Sequence, residues 1–216
     1  MSDTLEYNWH TFPNLGYITS TLSEEQLQPI QAEINSIQED FSKADSASDY
    51  LSGLMYHEYN LYDSRNHIDS LIRPLCYEYD KMFRLSSQHL ALQDQGKWNV
   101  ELKELWVNYQ KKHEFQSAHK HSGIFSFVIW MKIPYDVDKE TSKYTGRSKD
   151  VSQFGFSYNN TLGAQERFNL NLSNKDEGML AVFPAQMPHY VYPFFTSNDY
   201  RITIAGNYGV KDFIKE

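Results

Sequence analysis

Three of the eight histidines sit where a metal ion could use them. His119 and His121 are separated by one residue in HEFQSAHKHSGIFSFVIWMKIP, just before the most strand-like run of the chain; His189 lies in FPAQMPHYVYPF, its approach set by Pro184 and Pro188. Residues two apart on a strand project to one face, so His119 and His121 are expected to converge on one point inside a barrel. Imidazole nitrogen ligates Fe, Zn, Cu and Ni, and three imidazoles from two strands would take one face of an octahedral ion, leaving the opposite face for substrate, water or oxygen. Arg201 and Thr203 follow in YRITIAGNYG, two apart and so on one side of a strand. A buried guanidinium is costly unless it meets an anion, and its fork matches a carboxylate bidentately. The plainer alternatives are a chance surface HxH pair and an Arg201 at a strand end, paired with a surface Asp or Glu.

Residues so placed need strands to hold them, and the second half of the chain has the pattern for strands. In 23–41, Leu27, Ile30, Ile34, Ile37 and Phe41 form one stripe of a 3.6-residue period, and Ser23 with Gln26 has capping-box spacing. Pro29 suggests that regular helix begins only there. A second helical stripe runs through Ile68, Leu71, Ile72, Leu75, Tyr79, Met82 and Phe83, with a kink or break expected at Pro74. From Trp98 the pattern alternates through Val100 and Leu102, then Leu105, Val107 and Tyr109, and the out-of-step position between them predicts a bulge. Further strands are expected at 123–133, 154–158, 166–172, 179–183, 190–193 and 200–208. The polar segment 135–153 has no periodicity and reads as a loop, a candidate lid or substrate recogniser. Helices followed by many short strands point to an α+β, mainly β domain, a jelly-roll or barrel with helices packed on one side. The 216 residues fit a single domain, with 1–97 as helical support and 98–216 as the barrel core.

Composition narrows the function further. The net charge is −8 with acids and bases interspersed, so no sequence-independent grip on nucleic-acid phosphate is expected. The one cysteine, Cys76, excludes an internal disulfide and a Cys-rich zinc site; it suits a reducing, cytoplasmic setting, and any metal site would have to be built from histidine. No apolar run approaches the ~20 residues of a membrane span, and MSDTLEYNWH lacks a signal pattern. Aromatic residues make up 15% of the chain. Trp106, Phe125, Phe127 and Trp130 fit the wall of a barrel cavity, with core packing the plainer role for each.

Taken together, the HxH of His119 and His121 before a long strand, the distal His189 in its proline-flanked turn and the R-x-T of Arg201 and Thr203 resemble the Fe(II)- and 2-oxoglutarate-dependent oxygenases. The likeness is strongest to the small prolyl-hydroxylase-like type of marine cyanophages, where strings similar to W-x-N-Y-Q, H-x-H-S-G and F-S-F-V-I occur, and it runs from Trp98 to Gly209. The resemblance implies a double-stranded β-helix holding Fe(II), with 2-oxoglutarate chelating the iron and its distal carboxylate held by the strand arginine. Carried over, it implies His119 as proximal ligand, His189 as distal ligand, Arg201 as carboxylate anchor and Thr203 as its hydroxyl partner. The implied reaction consumes O2, releases succinate and CO2, and hydroxylates a C–H bond of a peptide, protein or small molecule. A phage-encoded chain of this kind would act in the host cytoplasm.

One position departs from the family pattern, because His121 stands where the resemblance places a carboxylate ligand. Three readings are open. His121 ligates directly, leaving the iron one charge more positive; or it is the proximal ligand with Gly123 in the carboxylate place; or it orients a water beside the ligands. Direct ligation is the expectation carried forward. Asn108 and Tyr109, on the preceding strand, are candidate contacts for 2-oxoglutarate or substrate, and Tyr109 serves equally as core. Two other functions compete: a three-His cupin-like iron dioxygenase without 2-oxoglutarate, in which Arg201 binds a substrate carboxylate, and a non-catalytic jelly-roll binding module, in which the three histidines would not converge.

Overall fold

A six-stranded sheet carries helices on its outer face and a smaller four-stranded sheet on its inner face. The computed structural model describes residues 8, 11–12, 14–49, 51, 53–89, 92, 97–143 and 150–214. The strands are β1 (Ile18–Thr21), β2 (Glu58–Asn60), β3 (Lys97–Gln110), β4 (Gln116–His119), β5 (Phe125–Lys132), β6 (Phe154–Asn159), β7 (Gln165–Leu170), β8 (Met179–Pro184), β9 (His189–Val191) and β10 (Arg201–Ile214). The large sheet runs β1-β8-β5-β10-β3-β2 and the small one β4-β9-β6-β7, with every pairing antiparallel. This is a double-stranded β-helix, mainly β with supporting helices. Among the described residues, no helix is long and apolar enough to cross a membrane.

Strand periodicity sorts the side chains between two cores. Phe125, Phe127, Ile129 and Met131 of β5 pack outward with the helices, while Val128 and Trp130 turn inward with Phe154, Phe156 and Phe183. On β3 the outward residues change phase between Leu102 and Leu105. The pairing with β10 jumps there from Leu102 opposite Tyr208 to Glu104 opposite Asn207, so the bulge falls at Lys103 as the alternation predicts. Without that extra residue, Trp106, Asn108 and Gln110 would point away from the barrel interior.

The helices are α1 (Glu24–Glu39), α2 (Arg65–Phe83) and α3 (Val137–Ser142). Ser23 caps α1 in a reciprocal box with Gln26, and Glu24 and Glu25 complement the helix dipole. Helix α1 thus starts ahead of Pro29, contrary to the sequence expectation, and α2 runs through Pro74 without a break. Burial outweighs the lost amide bonds: Ile30, Ile34, Ile68, Ile72, Cys76 and Tyr79 are fully buried, and truncating one such Ile to Ala costs about 2–5 kcal/mol.

Strands β1, β2 and β4 carry no sequence signal because they are short and polar, held by backbone pairing rather than by an apolar stripe. The first two close the edges of the large sheet, so the segment before residue 97 adds strands to the barrel as well as helices. The 135–153 loop contains α3, whose buried Glu140 accepts the backbone N–H groups of Phe195 and Thr196 at 2.9 and 2.7 Å. Residues 144–149 of that loop lie outside the described residues.

Candidate active site

Backbone register places two of the histidines. His119, the last residue of β4, is the direct partner of His189, the first residue of β9. His121 lies beyond the end of β4, so strand alternation does not bring it to the site. Its backbone N–H donates to Ala185 O at 2.9 Å, and Gln186 Nε2 donates to its carbonyl at 2.9 Å, tying the turn to the segment that leads into His189. One candidate ligand atom from each of the three lies within 4.8 Å of the others. Gly123 follows at φ +103°, where an added Cβ would stand 2.6 Å from Tyr208 O, so its role is to let the chain pass the sheet.

The tautomers follow from the hydrogen bonds. His119 Nδ1 lies 2.7 Å from Ser117 O and His189 Nδ1 lies 3.0 Å from Met187 O. A carbonyl only accepts, so Nδ1 carries the proton in each ring and Nε2 keeps its lone pair. Burial pushes the His189 imidazole down to about 3 and that of His121 to about 4, helped by the neighbouring imidazoles, and burial also lowers His119. Three neutral imidazoles are therefore available at neutral pH, the form in which they bind metal. Phe154 and Phe183 pack on the His189 ring and keep water from that side.

Below the histidines the inward side chains of β3, β5 and β10 line a cavity that ends at Arg201. Arg201 is 3% exposed, which rules out the surface ion pair. Its Nε and Nη2 both donate to Gln110 Oε1, its Nη1 to Tyr135 Oη and Ser152 O, and its Nη2 also to Tyr192 O. All five N–H groups thus meet neutral oxygens, and among the described residues no carboxylate pairs with the charge. Ser152 adopts φ +64°, a left-handed conformation rare outside glycine; there its carbonyl accepts from both Tyr135 Oη and Arg201. Burying a cation without an anion is costly and neutral oxygens offset only part of that cost, so the cavity favours a negative ligand.

Asn108 and Thr203 stand opposite each other in the β3–β10 register, with Asn108 Nδ2 donating to Thr203 Oγ1 at 3.1 Å. Tyr109 points the other way: it is fully buried among Phe41, Tyr59 and Tyr200, and its hydroxyl donates to Ile34 O. The expectation that Tyr109 reaches 2-oxoglutarate or substrate is therefore corrected, since the period of two that turns Asn108 inward turns Tyr109 outward. Gln110, inward by the same period, was legible in W-x-N-x-Q and was missed. Tyr135 and Ser152 carry no such signal, because a loop brings them to Arg201.

Residues 104–207 match the family described as "Putative 2OG-Fe(II) oxygenase", a span that contains the three histidines, Arg201 and Thr203. Over that span the chain is similar to the 2-oxoglutarate–Fe(II) oxygenases. Solved structures agree on the fold of this oxygenase. A prolyl-4-hydroxylase of Pseudomonas putida is 14% identical with a TM-score of 0.52, covering 92% of this chain and 94% of its own. A prolyl hydroxylase of Trichoplax adhaerens, in complex with a hypoxia inducible factor peptide fragment, is 10% identical with a TM-score of 0.57, covering 90% and 83%. AviO1 of Streptomyces viridochromogenes is 10% identical with a TM-score of 0.50, covering 93% and 92%. None of the curated proteins matches the sequence. The oxygenase works with Fe(II), 2-oxoglutarate, O2 and an organic substrate, and its residues suit that set: neutral imidazoles fit a divalent transition metal, and an anion-free guanidinium beside spare amide and hydroxyl donors fits a dicarboxylate.

Proposed function

We propose that His119 and His189, through Nε2, together with His121 hold the Fe(II), and that 2-oxoglutarate lies between them and Arg201. The observation that carries this reading is the convergence of three neutral imidazoles at one end of a cavity whose other end holds a buried cation without an anion. When bound, Fe(II) and 2-oxoglutarate supply the activation of O2, with succinate and CO2 as by-products. The chain's own part is geometric and electrostatic. Ser117 O and Met187 O orient the ligand rings, Thr203 and Asn108 receive the distal carboxylate in the field of Arg201, and Phe154 and Phe183 exclude water. Tyr109 has no part in it.

The reaction is hydroxylation of a C–H bond in a peptide, protein or small molecule. The peptide reading is supported by the fold shared with the peptide-bound hydroxylase of Trichoplax adhaerens. The chain acts as one domain, supported by β1 and β2 entering the large sheet. It works in a reducing, cytoplasmic compartment, a reading supported by the buried free thiol of Cys76. The net charge of −8 supports no non-specific nucleic-acid partner.

Anaerobic titration of the purified protein with Fe(II) and then 2-oxoglutarate tests the assignment. The expected result is the weak visible charge-transfer band of the bound pair, followed by succinate formation on admitting O2. Absence of both overturns it.

A further inference from the structure

Trp106 stands inward on β3, one pleat above Asn108, and its indole Nε1 donates to Asn108 Oδ1 at 3.1 Å with both side chains buried. An indole N–H can only donate, so it decides which way round the Asn108 amide sits: oxygen toward Trp106, NH2 toward Thr203. One N–H of that NH2 is used on Thr203 Oγ1. The second N–H and the Thr203 hydroxyl proton have no acceptor among the described residues, and both side chains line the cavity that ends at the anion-free Arg201. If the amide turned over, a carbonyl oxygen would face that cavity in place of an N–H and would repel an anion. The same indole lies 5.6 Å, centroid to centroid, from the His121 ring.

We infer that Trp106 is a positioning residue for the co-substrate: by locking the Asn108 amide it presents donors, and not an acceptor, to a carboxylate in this cavity. The inference rests on the reading that 2-oxoglutarate binds here and adds the residue that sets the polarity of its cradle. Trp106 also lines the cavity; the part assigned to it is exerted through Asn108.

The test measures 2-oxoglutarate binding by calorimetry on the Mn(II)-loaded protein, so that no turnover enters. Trp106→Phe keeps an aromatic ring and loses the N–H; it is expected to weaken 2-oxoglutarate binding roughly tenfold, the effect of one hydrogen bond to a charged group, with Mn(II) affinity unchanged. Because Trp106 acts through Asn108, the double variant Trp106→Phe/Asn108→Ala is expected to bind like Asn108→Ala alone. Asn108→Asp, which keeps the shape and leaves no donor, is expected to lose binding at least as far as Asn108→Ala, and it stands independently of whether the Trp106 variant folds. Wild-type affinity in Trp106→Phe, losses that multiply in the double variant, or wild-type affinity in Asn108→Asp would each overturn the inference. Wild-type protein that takes up Mn(II) but no 2-oxoglutarate would instead overturn the function proposed above.

Discussion

His119 and His189 stand directly opposite each other in the β4–β9 pair, and their rings approach to 4.3 Å between centroids. His189 is paired on both edges of β9, with His119 of β4 and with Phe156 of β6, so two of the three imidazoles are set by backbone register. His121 is held only by the turn anchored to Ala185 and Gln186.

That difference makes His121 the informative position. His121→Ala is expected to weaken metal binding by more than about 100-fold, beyond the 10–100-fold typical of a group that only supports a ligand. His119→Ala is expected to do the same. Metal content after purification without chelator, measured by atomic absorption, checks both. Retention of a full equivalent by His121→Ala would place His121 outside the coordination sphere.

Gln110 occupies the Nε/Nη2 edge of Arg201 that a carboxylate would prefer. Replacing that neutral oxygen by an internal anion, Gln110→Glu, is expected to weaken 2-oxoglutarate binding by about tenfold or more, since an opposite charge at contact distance neutralises the attraction. Calorimetric titration reads the effect. Unchanged affinity would mean that the co-substrate does not use the field of Arg201.

Glu58 is buried opposite Asn108 in the β2–β3 register. Burial, with a smaller contribution from Glu114, raises its carboxyl from 4.5 to about 7, against the opposing hydrogen bond from Gln116. Between those values the folded protein holds a proton that the unfolded chain has released, so this group's stability is present below 4.5 and lost as pH rises through 7. Glu58→Gln mimics the protonated form. It is expected to match the wild-type Tm at pH 5 and exceed it at pH 8; a Tm difference that does not change with pH would refute the buried-carboxyl account.

Gly123→Ala would put a Cβ 2.6 Å from Tyr208 O at φ +103°. Overpacking of this kind costs about 1–3 kcal/mol, with backbone strain in addition. A lowered urea midpoint with unchanged slope is the expected result, and wild-type stability would show that the turn before β5 has room to relax.

What could be read from the chain is what depends on local periodicity. The alternation in FSFVIWMK sorts outward Phe125, Phe127 and Ile129 from inward Val128 and Trp130. The phase change between Leu102 and Leu105 marks the bulge at Lys103, and the spacing of His119, His121, His189, Arg201 and Thr203 marks a site. Pro29 misled, because an isolated helix weighs the lost amide bond against propensity alone, whereas α1 also buries an apolar face.

The sequence by itself determined which side chains are available for chemistry and, through the period of two, that Asn108 faces inward. Only the tertiary structure decided that Tyr109 serves the outer core, that His121 joins the other two from beyond its strand, and that Arg201 is caged by neutral oxygens. The physical reason is distance along the chain. Gln110 and Tyr135 lie 91 and 66 residues from Arg201, and their hydrogen bonds exist only once the sheets and the 135–153 loop have closed around the guanidinium.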